Sequence, residues 1–80
     1  NGYFLIRIIP EKKLIEVGHC KQNNIILHEF TGKTSKELCQ AIIKAELISR
    51  EDHAAYLGRE TLKAEIALKL NLEYVQDSDF

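Results

Sequence analysis

Hydrophobic residues along this chain first recur with a strand's spacing and then with a helix's. Tyr3 to Ile9 (YFLIRII) is rich in aromatic and β-branched residues and runs into Pro10-Glu11-Lys12, which a hydrogen-bonded ladder would not tolerate. This predicts a strand and a hairpin turn. Lys13 to His19 (KLIEVGH) alternates weakly, with Ile15 and Val17 on one face and Leu14, Glu16 and Gly18 on the other. It is expected to pair antiparallel with the first strand. After the polar turn Gln22-Asn23-Asn24, Ile25 to Thr31 (IILHEFT) reads as a third strand, which Gly32 ends.

From Thr34 the period lengthens. Leu38, Cys39, Ile42 and Ala45 recur at three- and four-residue steps behind Thr34-x-x-Glu37, a capping-box start. This helix gives way near Leu47-Ile48. Ser49-Arg50-Glu51-Asp52 then offers a second Ser-x-x-acid start, opening a longer helix from about Arg50 to Leu70. The tail, 71–80, is partly extended; its LEYV segment has the composition of a short extra strand or a docked arm, and Asp77-Ser78-Asp79 reads as frayed.

At 100° per residue the long helix carries two apolar stripes. Ala54, Leu57, Thr61, Ala64 and Leu68 form one, and Ala55, Gly58, Leu62, Ile66 and Leu70 form the other. One core needs one stripe. Either the helix lies deep in a two-sided core, or it is sandwiched between its own sheet and a second body, with Ala55, Gly58, Leu62 and Ile66 at the interface. The first strand favours the sandwich, because Leu5 and Ile9 lie opposite Phe4, Ile6 and Ile8 and leave apolar groups on both faces of the sheet.

Composition narrows the classes. Leu, Ile, Val and Phe make up 25 of 80 residues, enough for a globular fold but only a thin core, so a partner surface would help it. Eleven basic against twelve acidic residues give a net charge of -1, which provides no general attraction to nucleic acid or an anionic membrane. The apolar runs are far shorter than a membrane-spanning helix needs, and no charged leader precedes an apolar core, so a cytoplasmic protein is expected. Met is absent, which admits a trimmed piece of something longer. Cys20 and Cys39 are too sparse for a disulfide scaffold and too far apart for a C-x-x-C pair; two reduced thiols are expected.

Candidate chemistry is thin. Gly32-Lys33-Thr34 resembles the end of a phosphate-binding loop, but Leu27 stands where such a loop needs its opening glycine, and a strand-ending Gly with a Thr cap explains all three residues. A helix N-terminus there would still accept a small anion, with Lys33 assisting. His19, Cys20, His28, Cys39 and His53 match no zinc spacing, and nothing orients a Cys-His nucleophile, so neither a metal site nor catalytic residues are assigned. The densest polar cluster lies on the long helix, where Tyr56, Arg59, Glu60 and Lys63 share a side with His53 at its margin. The pattern favours a solvated face laced by pairs such as Glu60 with Lys63. The functional alternative places His53, Tyr56, Arg59 and Lys63 against a ligand, Arg59 gripping a carboxylate or phosphate.

The run Ile48 to Glu60, containing His53-Ala54-Ala55-Tyr56-Leu57-Gly58-Arg59-Glu60, followed by Lys63 to Leu68 and by Tyr74-Val75-Gln76-Asp77, resembles a domain family similar to the C-terminal domain of dihydropteroate-synthase-related, pterin-binding proteins. That family also occurs as a short standalone chain. The early GYFLI, IEVGHC and TGKT segments fit it too, so the resemblance covers nearly the whole chain. It implies no reaction and no cofactor, and its pterin association comes from neighbouring domains; this chain has no pterin-binding barrel of its own. A module beside pterin, one-carbon or methyl-transfer proteins is what the resemblance implies.

The expectation is therefore a single α+β domain over residues 1–80: a three-stranded antiparallel meander followed by two helices packed on one face, with room for a short C-terminal strand. Its expected role is a non-enzymatic, self-associating interaction module with a pterin- or methyl-transfer-related partner. The alternative is a small ligand-binding or catalytic unit using His53, Tyr56 and Arg59 on an anionic or pterin-like ligand.

Overall fold

The computed structural model describes residues 2–78, apart from the side chain of Asn24. Strand β1 (Tyr3–Ile9), β2 (Leu14–Lys21) and β3 (Ile25–Gly32) form one antiparallel sheet in the order β1-β2-β3, and α1 (Ser35–Lys44) and α2 (Glu51–Leu70) follow. The α+β meander with two helices on one face is the architecture the periodicity predicts. Pro10 opens a single 3-10 turn between β1 and β2, and Lys13 closes it with φ 53°, its N–H donating to Pro10 O. Asn23, at φ 69°, supplies the left-handed residue of the second connection, a conformation that asparagine tolerates well.

The register puts Phe4, Ile6 and Ile8 beside His19, Val17 and Ile15, and sets Val17 beside Phe30. This face meets the helices. Ile6, Ile15, Val17, Leu38, Ile42, Leu57 and Ala64 form the buried core, with Phe4, Ile8, Phe30, Leu47, Ile48, Leu68 and Tyr74 packed around it. On β3, His19 opposes His28 whereas Cys20 opposes Ile26, so Leu27 is the extra residue of a bulge.

Thr34 caps α1 as expected: its hydroxyl accepts from Glu37 N–H, while Glu37 reaches back to accept from Lys33 N–H. Gly32 packs closely here: a Cβ at that position would lie 3.2 Å from both the Glu37 carboxylate and Leu38, which would have to shift slightly to admit it. The start expected at Ser49 is different. Arg50 is the N-cap of α2 and makes no side-chain capping bond; Asp52 instead pairs with Arg50 and accepts from His53 N–H. An acid in the first turn already suits the helix dipole, which leaves less for a cap to add.

Asn71, at φ 59°, ends α2; Leu72 N–H donates to Ala67 O across it at 2.8 Å. The chain then turns back over residues 72–78 without becoming a strand. The short C-terminal strand allowed by the LEYV segment is therefore absent, for a physical reason. The free edge of β1 is met by a side chain: Gln76 accepts from Ile6 N–H and donates to Phe4 O, both at 2.8 Å. One amide group thus reproduces what a paired backbone would provide. The expected frayed end also differs, since Asp77 is tied down through its N–H; Asp79 lies outside the described residues.

Candidate functional site

The polar cluster of α2 is built around Glu60. Its position places it on the buried arc of the helix between Tyr56 and Ala64, and its side chain has 0% exposure. A carboxylate there needs a full set of donors. Tyr74 OH donates to Oε1 at 2.9 Å and Asp77 N–H at 3.1 Å; Lys63 Nζ reaches both oxygens, and Arg59 Nε donates to Oε2 at 3.2 Å. Burial is the largest single influence and opposes the charge, but these donors together outweigh it and hold the carboxyl below its ordinary value. Burial, reinforced by donation to Glu60, drives the Tyr74 phenol well above its usual range.

Tyr56 and Arg59 complete the tether. Tyr56 OH donates to Asp77 O and accepts from Gln76 Nε2 at 2.7 Å, while the Arg59 guanidinium lies 5.4 Å from the Tyr56 ring centre and 4.0 Å from the Asp77 carboxylate. The Glu60–Lys63 pair expected on this side forms and Arg59 and Lys63 stay half-exposed, but Glu60 itself is buried, so the face is solvated only in part. The structure brings Tyr56, Arg59 and Lys63 together, and each touches Glu60 or the tail. The carboxylates gripped by Arg59 belong to its own chain.

His53 lies one turn before this cluster. With Tyr3, Phe4, Leu5, Tyr56 and Gln76 it lines an apolar groove of about 300 Å³ where the tail crosses β1. In the sequence, Glu60 reads as a partner for Lys63, and Tyr74, Gln76 and Asp77 as part of the family-like run; none of the four is among the ligand candidates. The signal in the sequence is spacing: Glu60 falls four residues after Tyr56 and four before Ala64, on the arc that the structure buries, and in the tail Val75 is 77% exposed while Tyr74 and Gln76 on either side turn inward.

A second polar seam joins the helices. The Ser35 and Thr61 hydroxyls lie 2.6 Å apart, Thr61 donates to Leu57 O, and Cys39 Sγ is 3.5 Å from Thr61 Oγ1. Ser35 N–H donates to the Glu65 carboxylate at 2.7 Å. The N-terminus of α1 thus already holds an anion, and that anion is the protein's own glutamate. Accepting from Ser35 N–H, with help from Lys69, keeps the Glu65 carboxyl below its ordinary value. Lys33 and Thr34 act as ends of a cap, not of a nucleotide loop.

The remaining candidate ligands are dispersed. His19 packs 5.1 Å from the Phe4 ring and 5.9 Å from the His28 ring, and its Nδ1 has no hydrogen-bond partner among the described residues. Burial, then the neighbouring His28, lowers its pKa. Cys20 and Cys39 are free thiols; Cys20 is buried and its pKa is raised by that burial. No group of three or more metal-ligating side chains occurs among the described residues. No helix among them is long and apolar enough to cross a membrane.

Several large apolar side chains lie on the outer surfaces, among charged ones such as Arg7, Glu16 and Glu29. The first stripe of α2 faces the core, but Ala55 is exposed, Leu62 and Ile66 are 49% and 45% exposed, and a Cβ built on Gly58 meets nothing within 4 Å. The alternative that α2 lies deep in a two-sided core is thereby excluded. Behind the sheet, Leu5 and Ile26 are exposed around Gly18, and Ile25 and Leu27 are exposed on β3.

A family model described as PterinBD-DUF4346 matches residues 1–77. An uncharacterised protein of Methanocaldococcus jannaschii is 38% identical over 79 residues, covering 99% of this chain and 15% of that protein. The Ycf91-like protein of Nostoc sp. is 51% identical over 51 residues, or 60% of this chain and 40% of that protein. The uncharacterised protein ycf91 of Porphyra purpurea is 41% identical over 83 residues, spanning 96% of this chain and 69% of that protein. The chain therefore spans well under two thirds of the first two relatives. No solved structure matches it.

Proposed function

The chain belongs to the PterinBD-DUF4346 family, and we propose that it serves as a non-enzymatic interaction module that self-associates and docks beside a pterin-binding or methyl-transfer-related protein. One observation carries this reading. Tyr56, Arg59 and Lys63 of the long helix are engaged with Glu60 or the tail, whereas Leu62 and Ile66 on the outward stripe of α2, and Leu5, Ile25, Ile26 and Leu27 on the sheet, are exposed. Leu and Ile side chains left exposed on two faces are suited to meeting another surface. The relatives add support, since the matched region is a small part of the archaeal protein and most of the Porphyra one. A domain found in both settings suits docking within a longer polypeptide in one case and between chains in the other.

Size-exclusion chromatography with light scattering, from roughly 10 µM to 1 mM, tests self-association. The expected result is a mass that rises with concentration. A folded monomer throughout refutes it.

A second reading rests on the groove beside His53, whose volume lies at the small end of ligand pockets. Here His53 acts as the general acid or base and Tyr56 and Arg59 orient an anionic or pterin-like ligand. Because Tyr56 and Arg59 also hold the tail, His53→Ala is the informative variant. Calorimetric titration with folic acid should give binding that His53→Ala removes without loss of folding; absence of binding to the unsubstituted chain rejects this reading.

A further inference from the structure

We propose that the partner for the outward stripe of α2 is the α2 of a second copy, packed antiparallel about a twofold axis level with residue 60. This deepens the self-association reading and rests on it. The argument comes from helix geometry. Glu51 and Lys69 are eighteen residues apart, which at about 100° per residue is five whole turns, so they project from the same flank at opposite ends of the helix. Gly58, Leu62, Ala55 and Ile66 fall between and beside them in a band about 80° wide.

In an antiparallel pair centred at residue 60, position i faces position 120 minus i of the other copy. Glu51 then faces Lys69 of the second copy, and Lys69 faces its Glu51. The charges match twice. Sizes match as well: Gly58 comes opposite Leu62, and Ala55 lies one position from Ile66, so each large side chain meets a small one. Gly58 supplies the hollow that this requires, being open to solvent in the single chain. The groups nearest the axis do not oppose the contact. Arg59, which would otherwise approach its twin, is drawn to Glu60 and Asp77 on the tail side. Lys69 already pairs with Glu65 of its own helix at 3.0 Å, so in the dimer it bridges that carboxylate and Glu51 of the second copy.

A single helix pair of this length buries less than a standard interface, so association in the micromolar range or weaker is expected. The experiment is charge reversal read by sedimentation velocity. Glu51→Lys and Lys69→Glu should each weaken the dimer about tenfold or more, because each places two like-charged pairs face to face. Mixed in equal amounts, the two variants should form a heterodimer in which both pairs are restored, and the double variant should dimerise like the original chain. Gly58→Leu, which fills the hollow where the single chain has space, should block dimerisation while leaving circular dichroism unchanged. If the unsubstituted chain stays monomeric, self-association itself fails. If it dimerises but ignores the charge reversals and Gly58→Leu, this register is overturned and only the broader reading stands.

Discussion

Replacing Glu60 with Gln keeps the shape of the side chain but removes its charge and one accepting oxygen. Tyr74 OH and Asp77 N–H can still donate to the remaining carbonyl, as they do to Oε1. The new NH2 group would face Arg59 Nε and Lys63 Nζ, which are donors themselves. Hydrogen bonds to a charged group contribute about 1.5–3 kcal/mol each, but the Arg59 and Lys63 side chains are 50% and 44% exposed and recover water, which discounts their loss. We expect Glu60→Gln to cost about 2–3 kcal/mol at neutral pH. For a chain of this size, with total stability of roughly 4–12 kcal/mol, that lowers Tm by roughly 8–24 °C.

The pH dependence gives the sharper check on this reasoning. The folded-state pKa of Glu60 lies below the ordinary value of 4.5, so the unfolded chain binds its proton first on acidification. The stabilisation is complete above the ordinary value and is lost as pH falls through the lowered one. Urea unfolding followed by circular dichroism should therefore show a gap between the two proteins that is widest near pH 7 and shrinks toward about pH 3. Equal stability at pH 7, or a gap that persists undiminished in acid, would refute the idea that a buried charge organises this cluster.

Gly58→Ala should stabilise the dilute monomer by about 0.5–1 kcal/mol, since the added methyl meets open space and alanine favours the helix; a lowered Tm at low concentration would mean that the flank is already filled. Gln76→Ala removes two bonds to the edge of β1 and one to Tyr56, and should cost about 1–3 kcal/mol. Hydrogen exchange should show faster loss of protection at the Ile6 amide, and unchanged protection there would contradict the tether. His19 should titrate below the ordinary histidine value of 6.5 in an imidazole NMR experiment. Its contribution to stability is then present above 6.5 and lost as pH falls from there through its own lowered pKa; a midpoint at or above 6.5 would show that its side chain is not shielded between Phe4 and His28.

Most of the sheet and both helices were legible from local spacing. Ile15 and Val17 share one face in the alternation of the second strand, and the structure buries both fully; Thr34-x-x-Glu37 reads as a capping start and forms one. The two stripes of the long helix were equally legible, and the structure adds which of them faces outward. The capping start at Ser49 was misleading, because a Ser-x-x-acid spacing also arises where the acid bonds its own neighbours in the first turn. The polar side of α2 was legible as a cluster but not in its purpose. Its buried acceptor, the Glu60 carboxylate, is answered by donors from Tyr74 and Asp77, fourteen and seventeen residues further on, and no periodicity within the helix reports on a tail that doubles back.

By itself, the sequence determined what depends on neighbours within a turn or a strand: alternation, helical period, the Thr34 cap and the presence of more apolar surface on α2 than one sheet can cover. Tertiary structure alone decided that Glu60 is buried and charged, that Gln76 closes the edge of β1 in place of a fourth strand, and that the anion position at α1 belongs to Glu65. The reason is one of range. A dihedral preference or a stripe is set by residues three or four positions away, whereas Gln76 and Ile6 meet across seventy positions of chain, and their contact exists only once the whole fold brings them together.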